Sequence, residues 1–74
     1  MRNKPDNKIR KTLGEKIRKA RENVKFTQDE AARKAQMSSN YFAKIERGEI
    51  NATFETLYKI IKALKIEASD IFPN

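Results

Sequence analysis

Thr27-Gln28-Asp29-Glu30-Ala31-Ala32-Arg33-Lys34-Ala35-Gln36-Met37-Ser38-Ser39-Asn40-Tyr41-Phe42-Ala43-Lys44-Ile45-Glu46-Arg47-Gly48 is the stretch whose reading decides the fold. It reads as two short helices joined by a tight turn. Each helix opens on its own cap, Thr27 for the first and Ser38 for the second, because a side-chain oxygen there can accept from an otherwise unsatisfied N–H of the first turn. Glu30, three residues after Thr27, completes a capping box. The first of the two helices turns Ala31, Ala32 and Ala35 inward, small residues that let two helices approach closely. This first helix ends near Gln36-Met37. The second helix has an apolar back, Phe42 and Ile45, and a front of small and polar side chains, Ser39, Asn40, Ala43 and Lys44. It stops at Gly48, a residue suited to the left-handed position after a helix end.

Outward from this pair the helical period continues. On the N-terminal side, Ile9, Leu13, Ile17, Ala20 and Val24 recur at steps of three and four, which predicts a helix from Ile9 to about Asn23, capped by Asp6 or Asn7. Residues 1–8 are polar and charged and are expected to form a mobile basic tail, leaving 9–74 as the folded domain. On the C-terminal side, Glu49 to Ala52 reads as a loop and Thr53 as the next cap. Leu57, Ile60, Ile61 and Leu64 form the stripe of a fourth helix, and Glu67 to Phe72 a short final one before Pro73. No strand pattern, repeat or low-complexity segment interrupts this. The expected fold class is all-α, a compact five-helix domain, with Leu13, Ile17, Phe26, Phe42, Ile45, Leu57, Ile60, Ile61 and Leu64 as its core.

Bulk composition narrows the function. Seventy-four residues are enough for one small domain. The chain has no cysteine and no histidine, which removes disulfides, thiolate chemistry and most zinc-site designs. No apolar run approaches the roughly 18 residues of a membrane span. The N-terminus lacks the apolar segment of a signal peptide. The formal net charge is +7. Residues 1–26 hold ten basic and three acidic side chains, whereas the remainder is balanced, so the whole excess lies in the tail and first helix. A basic patch of this kind attracts polyanions, nucleic acid first among them. A short helix fronted by Ser39, Asn40 and Lys44 can lie in a DNA major groove, where Asn pairs with adenine N6 and N7 and Lys donates to guanine O6 or N7.

Several short motifs in one order resemble the phage-repressor-type helix-turn-helix proteins, the Cro and lambda-repressor-like family. They are Leu13-Gly14-Glu15-Lys16-Ile17-Arg18 with Arg21, then Thr27-Gln28-Asp29-Glu30, then Ile45-Glu46-Arg47-Gly48, then Thr56-Leu57 with Ile60 through Leu64. The match covers about residues 9 to 72. Taken as a whole protein, the chain would be this domain without an added effector half, an economy similar to that of restriction–modification controller proteins and small phage regulators. Three positions depart from the family pattern: Ala31 stands where Leu is frequent, Gln36 where Gly is usual in the turn, and Ala52 where Pro is frequent.

The resemblance implies a lambda-repressor-like helix-turn-helix domain and assigns roles to residues. Ser39, Asn40, Tyr41 and Lys44 are expected at the bases. Gln28, Ser38, Arg47, Asn51 and Thr53, with the N–H groups following Thr53, are expected along the DNA backbone. For Ser38 the cap and a phosphate contact are read as competing for one hydroxyl. Arg21 and Glu46 are expected to form a structural ion pair tying the third helix to the first. Ile66, Ile71 and Phe72 are surplus apolar residues and are expected to form a dimer interface. Arg2, Lys4 and Lys8 of the tail could add phosphate or minor-groove contacts.

The resulting expectation is a sequence-specific double-stranded DNA-binding transcriptional regulator, a homodimer on a palindromic operator, controlling restriction–modification or phage genes. It would be cytoplasmic and bacterial or phage-encoded. RNA polymerase is a further candidate partner. No membrane, metal or cofactor is called for, and no enzymatic activity. Two other readings compete. An antitoxin-type regulator would also bind a toxin, and a protein-interaction adaptor would keep the fold without operator specificity.

Overall fold

A computed structural model describes residues 5–72, with side chains described from residue 8 onward. The chain forms α1 (Pro5–Asn23), α2 (Gln28–Lys34), α3 (Ser39–Glu46) and α4 (Phe54–Leu64), followed by a single 3₁₀ turn at Ala68–Asp70. Among the described residues the architecture is all-helical, but with four α-helices rather than the five expected. The last segment is too short to build a second turn. It closes instead as a 3₁₀ turn, with the Glu67 N–H donating to Asp70 Oδ2 at 2.8 Å. Helix α1 begins at Pro5, four residues ahead of the expected start, and Pro is favoured in a first helical turn because its missing N–H is not needed there. Met1, Arg2, Asn3 and Lys4 lie outside the described residues, as do Pro73 and Asn74.

The three shorter helices start where the caps were read. Thr27 Oγ1 accepts from the Glu30 N–H at 3.0 Å while Glu30 Oε1 accepts from the Thr27 N–H at 2.8 Å. Ser38 and Thr53 cap α3 and α4 through the N–H groups of Tyr41 and Thr56.

All four helices end in the same way. A residue at or just after the cap is left-handed, at Lys25 (φ 63°), Gln36 (φ 63°), Gly48 (φ 74°) and Lys65 (φ 57°). The next N–H then bonds back five residues: Phe26 to Arg21, Met37 to Ala32, Glu49 to Lys44 and Ile66 to Ile61. These are Schellman endings. In three of them the residue carrying that bond is apolar, and Phe26, Met37 and Ile66 each pack against the core. Only one of the four left-handed positions is glycine, so the other three carry conformational strain. Gln36→Gly and Lys65→Gly are each expected to raise stability by about 0.5–1 kcal/mol, the relief of strain less the extra freedom of the unfolded chain. A thermal melt showing no gain for either would refute this.

The core gathers around Ile17, Phe42, Ile60, Leu64 and Ile71, all fully buried. Leu13, Phe26 and Ile61 pack at its margin. Val24 and Ile9, at the two ends of the α1 stripe, are exposed because α1 outruns the helices it packs on. Helix α3 is held between α1 and α2, and α4 packs on α2. The crossing of α1 and α3 is tight enough to require Gly14. A Cβ there would lie 2.4 Å from the Glu46 carbonyl oxygen and 2.6 Å from that of Ile45.

Candidate nucleic-acid interface

Helix α3 presents a narrow outward ridge. Phe42, Ala43, Ile45 and Glu46 are buried. Ala43 therefore belongs to the back of the helix, not to the polar front expected for it. The buried positions span an arc centred between Phe42 and Glu46, and Ala43 lies at its edge, one turn before Glu46. What remains outward is Asn40, exposed, and Lys44 one turn later, half-buried, with Ser39 and Tyr41 also half-buried at the sides. Tyr41 rests against the core. The Ser39 hydroxyl donates to the Asp29 carboxylate across the helix-turn-helix angle, leaving its lone pairs for an incoming donor. Ser38 Oγ accepts from the Tyr41 N–H at 3.1 Å. Accepting uses a lone pair, not the proton, so the cap and a phosphate contact do not compete for this hydroxyl.

Behind the ridge lies a charged network. Glu46 is buried, and its carboxylate accepts from Arg21 Nε at 2.7 Å and Arg21 Nη2 at 3.2 Å. The third Arg21 nitrogen, Nη1, donates to the Phe26 carbonyl at 2.9 Å. Gln28 Nε2 donates to the same Glu46 carboxylate at 2.9 Å. The structure thus gives Gln28 a role the sequence did not reveal, bracing the start of α2 against the end of α3. Its backbone N–H still points out of the first turn of α2. A hollow of about 300 Å³ opens there, lined by Arg18, Arg21, Gln28, Glu46 and Arg47. Its three guanidiniums are already engaged, Arg21 by Glu46, Arg18 by Glu22 and Arg47 by Glu49, so a phosphate oxygen there must compete with a carboxylate.

The loop after α3 is fixed by Arg10, which the sequence reading passed over. Arg10 Nε donates to the Gly48 carbonyl at 3.4 Å and Arg10 Nη1 to Asn51 Oδ1 at 3.2 Å. Holding the Asn51 oxygen turns its amide NH₂ away as a donor. Thr53 Oγ1 accepts from the Thr56 N–H and donates to Thr56 Oγ1 at 3.0 Å, so its hydroxyl is spent within α4. The donors left at that helix start are backbone N–H groups.

Arg47, exposed at the end of α3, is engaged by Glu49 through Nε at 2.8 Å and a second nitrogen at 3.2 Å. These hydrogen bonds hold the Glu49 carboxyl below the usual carboxylate range and raise the Arg47 guanidinium. The pair is therefore complete at neutral pH and is lost only as pH falls through the lowered Glu49 value. A phosphate must displace Glu49 to reach Arg47. Glu49→Gln is expected to tighten DNA binding about 3- to 10-fold at fixed salt and to steepen its salt dependence by about one counterion. Unchanged or weaker binding in a titration would refute this.

The C-terminal residues are not the surface patch expected. Ile71 is fully buried in the core. The 3₁₀ turn folds it back onto the helices, so it is no interface residue. Ile66 plugs the end of α4, and Ile66 and Phe72 are half-buried against the core. Among the described residues no helix is long and apolar enough to cross a membrane.

Comparison with known proteins agrees with this geometry. The helix-turn-helix family profile matches residues 17–71. The immunity repressor protein of Bacillus phage phi105 is 40% identical over 60 residues, which are 81% of this chain and 42% of that protein. The chain thus spans less than half the length of that repressor. An uncharacterized HTH-type transcriptional regulator of Sinorhizobium fredii, y4dJ, is 33% identical over 58 residues, 78% of this chain and 75% of that protein. Among solved structures, the restriction–modification controller protein C.AhdI from Aeromonas hydrophila superposes with a TM-score of 0.81 at 26% identity, covering 84% of this chain and 94% of that one. The two capped helices with their left-handed turn, the Arg21–Glu46 brace behind them and these matches lead to one conclusion: the chain belongs to the helix-turn-helix family.

Proposed function

We propose that this protein is a sequence-specific double-stranded DNA-binding regulator of transcription, acting as a homodimer on a near-palindromic operator. The observation that carries this is the division of α3. Four of its eight residues are buried and anchored, while exposed Asn40 and half-buried Lys44 lie one turn apart on the opposite side. Asn40 and Lys44 read base edges in the major groove, with Tyr41 and the lone pairs of Ser39 beside them. Gln28 and Ser38 hold one phosphate strand through the α2 backbone N–H and the capping hydroxyl. Asn51, the N–H groups following Thr53 and, once released from Glu49, Arg47 hold the other side of the groove. Two such helices enter successive major grooves about 34 Å apart.

The relatives named as a phage immunity repressor and a restriction–modification controller support a role in a phage or restriction–modification gene system. RNA polymerase is a partner of that reading, in a bacterial cytoplasm. The protein acts by binding, with no enzymatic step.

Selection of bound sequences from a random duplex pool at physiological salt tests it. A two-fold symmetric consensus with half-sites one helical turn apart is expected. Asn40→Ala and Lys44→Ala should each then lose about 1–3 kcal/mol of discrimination at one position per half-site, leaving non-specific affinity nearly intact for Asn40→Ala. No enriched motif, with binding that vanishes in salt, would overturn the reading in favour of the adaptor or antitoxin.

A further inference from the structure

Four large apolar side chains stand exposed among the described residues: Ile9, Val24, Phe54 and Tyr58. Ile9 and Val24 sit near opposite ends of α1. Phe54 and Tyr58 are one turn apart on α4, 78% and 53% exposed, and so form a continuous ridge. Leu57, Ile60 and Leu64 give the opposite side of α4 to the core. The outward side is therefore Glu55, Tyr58, Lys59 and Lys62, with Phe54 at its edge.

The charges on this face have a register. Glu55 and Lys62 are seven residues apart, two turns, at the same angular position, with Tyr58 between them. Glu55 makes no ion pair among the described residues. The Lys62 ammonium lies 5.7 Å from the Tyr58 ring centre. The pattern complements itself in one orientation. Set antiparallel about a two-fold axis at Tyr58, Glu55 of each copy meets Lys62 of the other. Set parallel, like charges meet.

We infer that the outer face of α4 is the surface through which two copies of this chain pair, antiparallel, with Tyr58 at the axis, Phe54 beside it and Glu55 opposite Lys62 at both ends. The same patch serves both copies, as a two-fold interface requires. This gives the dimer of the proposed function its surface, and it replaces the C-terminal residues, of which Ile71 is buried. A face on an 11-residue helix is about 16 Å long. At a helix width of about 10 Å it covers on the order of 160 Å², well short of the roughly 800 Å² per partner of a standard stable interface. The pair is accordingly weak in solution and strengthens when one duplex holds both copies.

The full chain tests this in sedimentation equilibrium up to about 1 mM, where a weak association is still populated. Glu55→Lys is expected to weaken self-association at least about tenfold, and Glu55→Lys with Lys62→Glu to restore it to within about threefold. The chain has no cysteine. Tyr58→Cys should therefore give a disulfide-linked dimer on mild oxidation, and Lys19→Cys, exposed on α1, should not. All four positions are exposed, and thermal melts check that the variants stay folded. A chain monomeric throughout overturns the inference and leaves the ridge to another occupant, such as an acidic protein drawn to Lys34, Lys59 and Lys62, which border the adjoining groove. So does a dimer insensitive to the single reversal. A selected DNA motif from a monomeric chain would fail the interface while sparing DNA recognition. A passing charge swap without any DNA motif would do the reverse.

Discussion

Glu46→Gln is expected to lower stability by about 3 kcal/mol, and the melting temperature by roughly 15 °C for a chain of this size. The carboxylate is buried, and Arg21 beside it has a side chain only 12% exposed. The amide that replaces it keeps the shape but loses the negative charge, and presents an NH₂ where one of two donors, Arg21 or Gln28, now points. The guanidinium is left sequestered without its counter-charge, which is costlier than losing an exposed pair. Operator binding should fall with it, because the brace sets the angle of α3 against α1 and α2. Thermal unfolding and DNA titration at a temperature where the variant is folded separate the two effects. Unchanged melting and affinity would sink the assignment. A double-mutant cycle with Arg21→Gln should return a coupling energy of about 1–3 kcal/mol.

Gly14→Ala should be at least as damaging, about 3 kcal/mol or more, although it adds one methyl group. The added carbon meets two backbone carbonyl oxygens of α3, at 2.4 and 2.6 Å, and not the end of a flexible side chain. No rotamer change relieves that contact, so α1 and α3 must separate. Separation opens the packing around Ile17 and Phe42 and stretches the Arg21–Glu46 bonds. Overpacking of an adaptable core costs about 1–3 kcal/mol, and a rigid contact lies at or beyond the upper end. A helix propensity gain for Ala over Gly, about 1 kcal/mol, acts the other way and is too small to compensate. A variant melting at or above the parent temperature would show that the helices can part without loss.

What could be read from the sequence was what is local. Thr27, Ser38 and Thr53 cap their helices because a cap needs only its own first turn. The left-handed Gln36 and the Arg21–Glu46 pair both followed from the family resemblance, the first because Gly is usual at that turn. The left-handed Lys25 and Lys65 were missed, since nothing about a lysine announces a positive φ. They were inferable from the apolar residue that follows each, as Met37 follows Gln36. Other features depend on which elements meet. Gly14 reads as a flaw in a helix until α3 is laid across it. Arg10 reads as one more cation of a basic segment until it reaches Gly48 and Asn51. Ile71 looked like surplus at a chain end because the turn that buries it was read as a helix. Ala43 was misplaced by one helix edge, since a small residue fits either a close-packed back or a polar front.

The division of α3 has a consequence for how this protein can change. The contacts that orient the helix are made through Phe42, Ala43, Ile45, Glu46 and the turn at Gly48, with Tyr41 and the Ser39–Asp29 hydrogen bond at its sides. The side chains of Asn40 and Lys44 lie on the side of the helix away from these contacts. Exchanging those two side chains should therefore move stability by no more than about 0.5 kcal/mol. Address and chassis are separately mutable. A lineage, or an experimenter, can rewrite the preferred DNA sequence through intermediates that all remain folded.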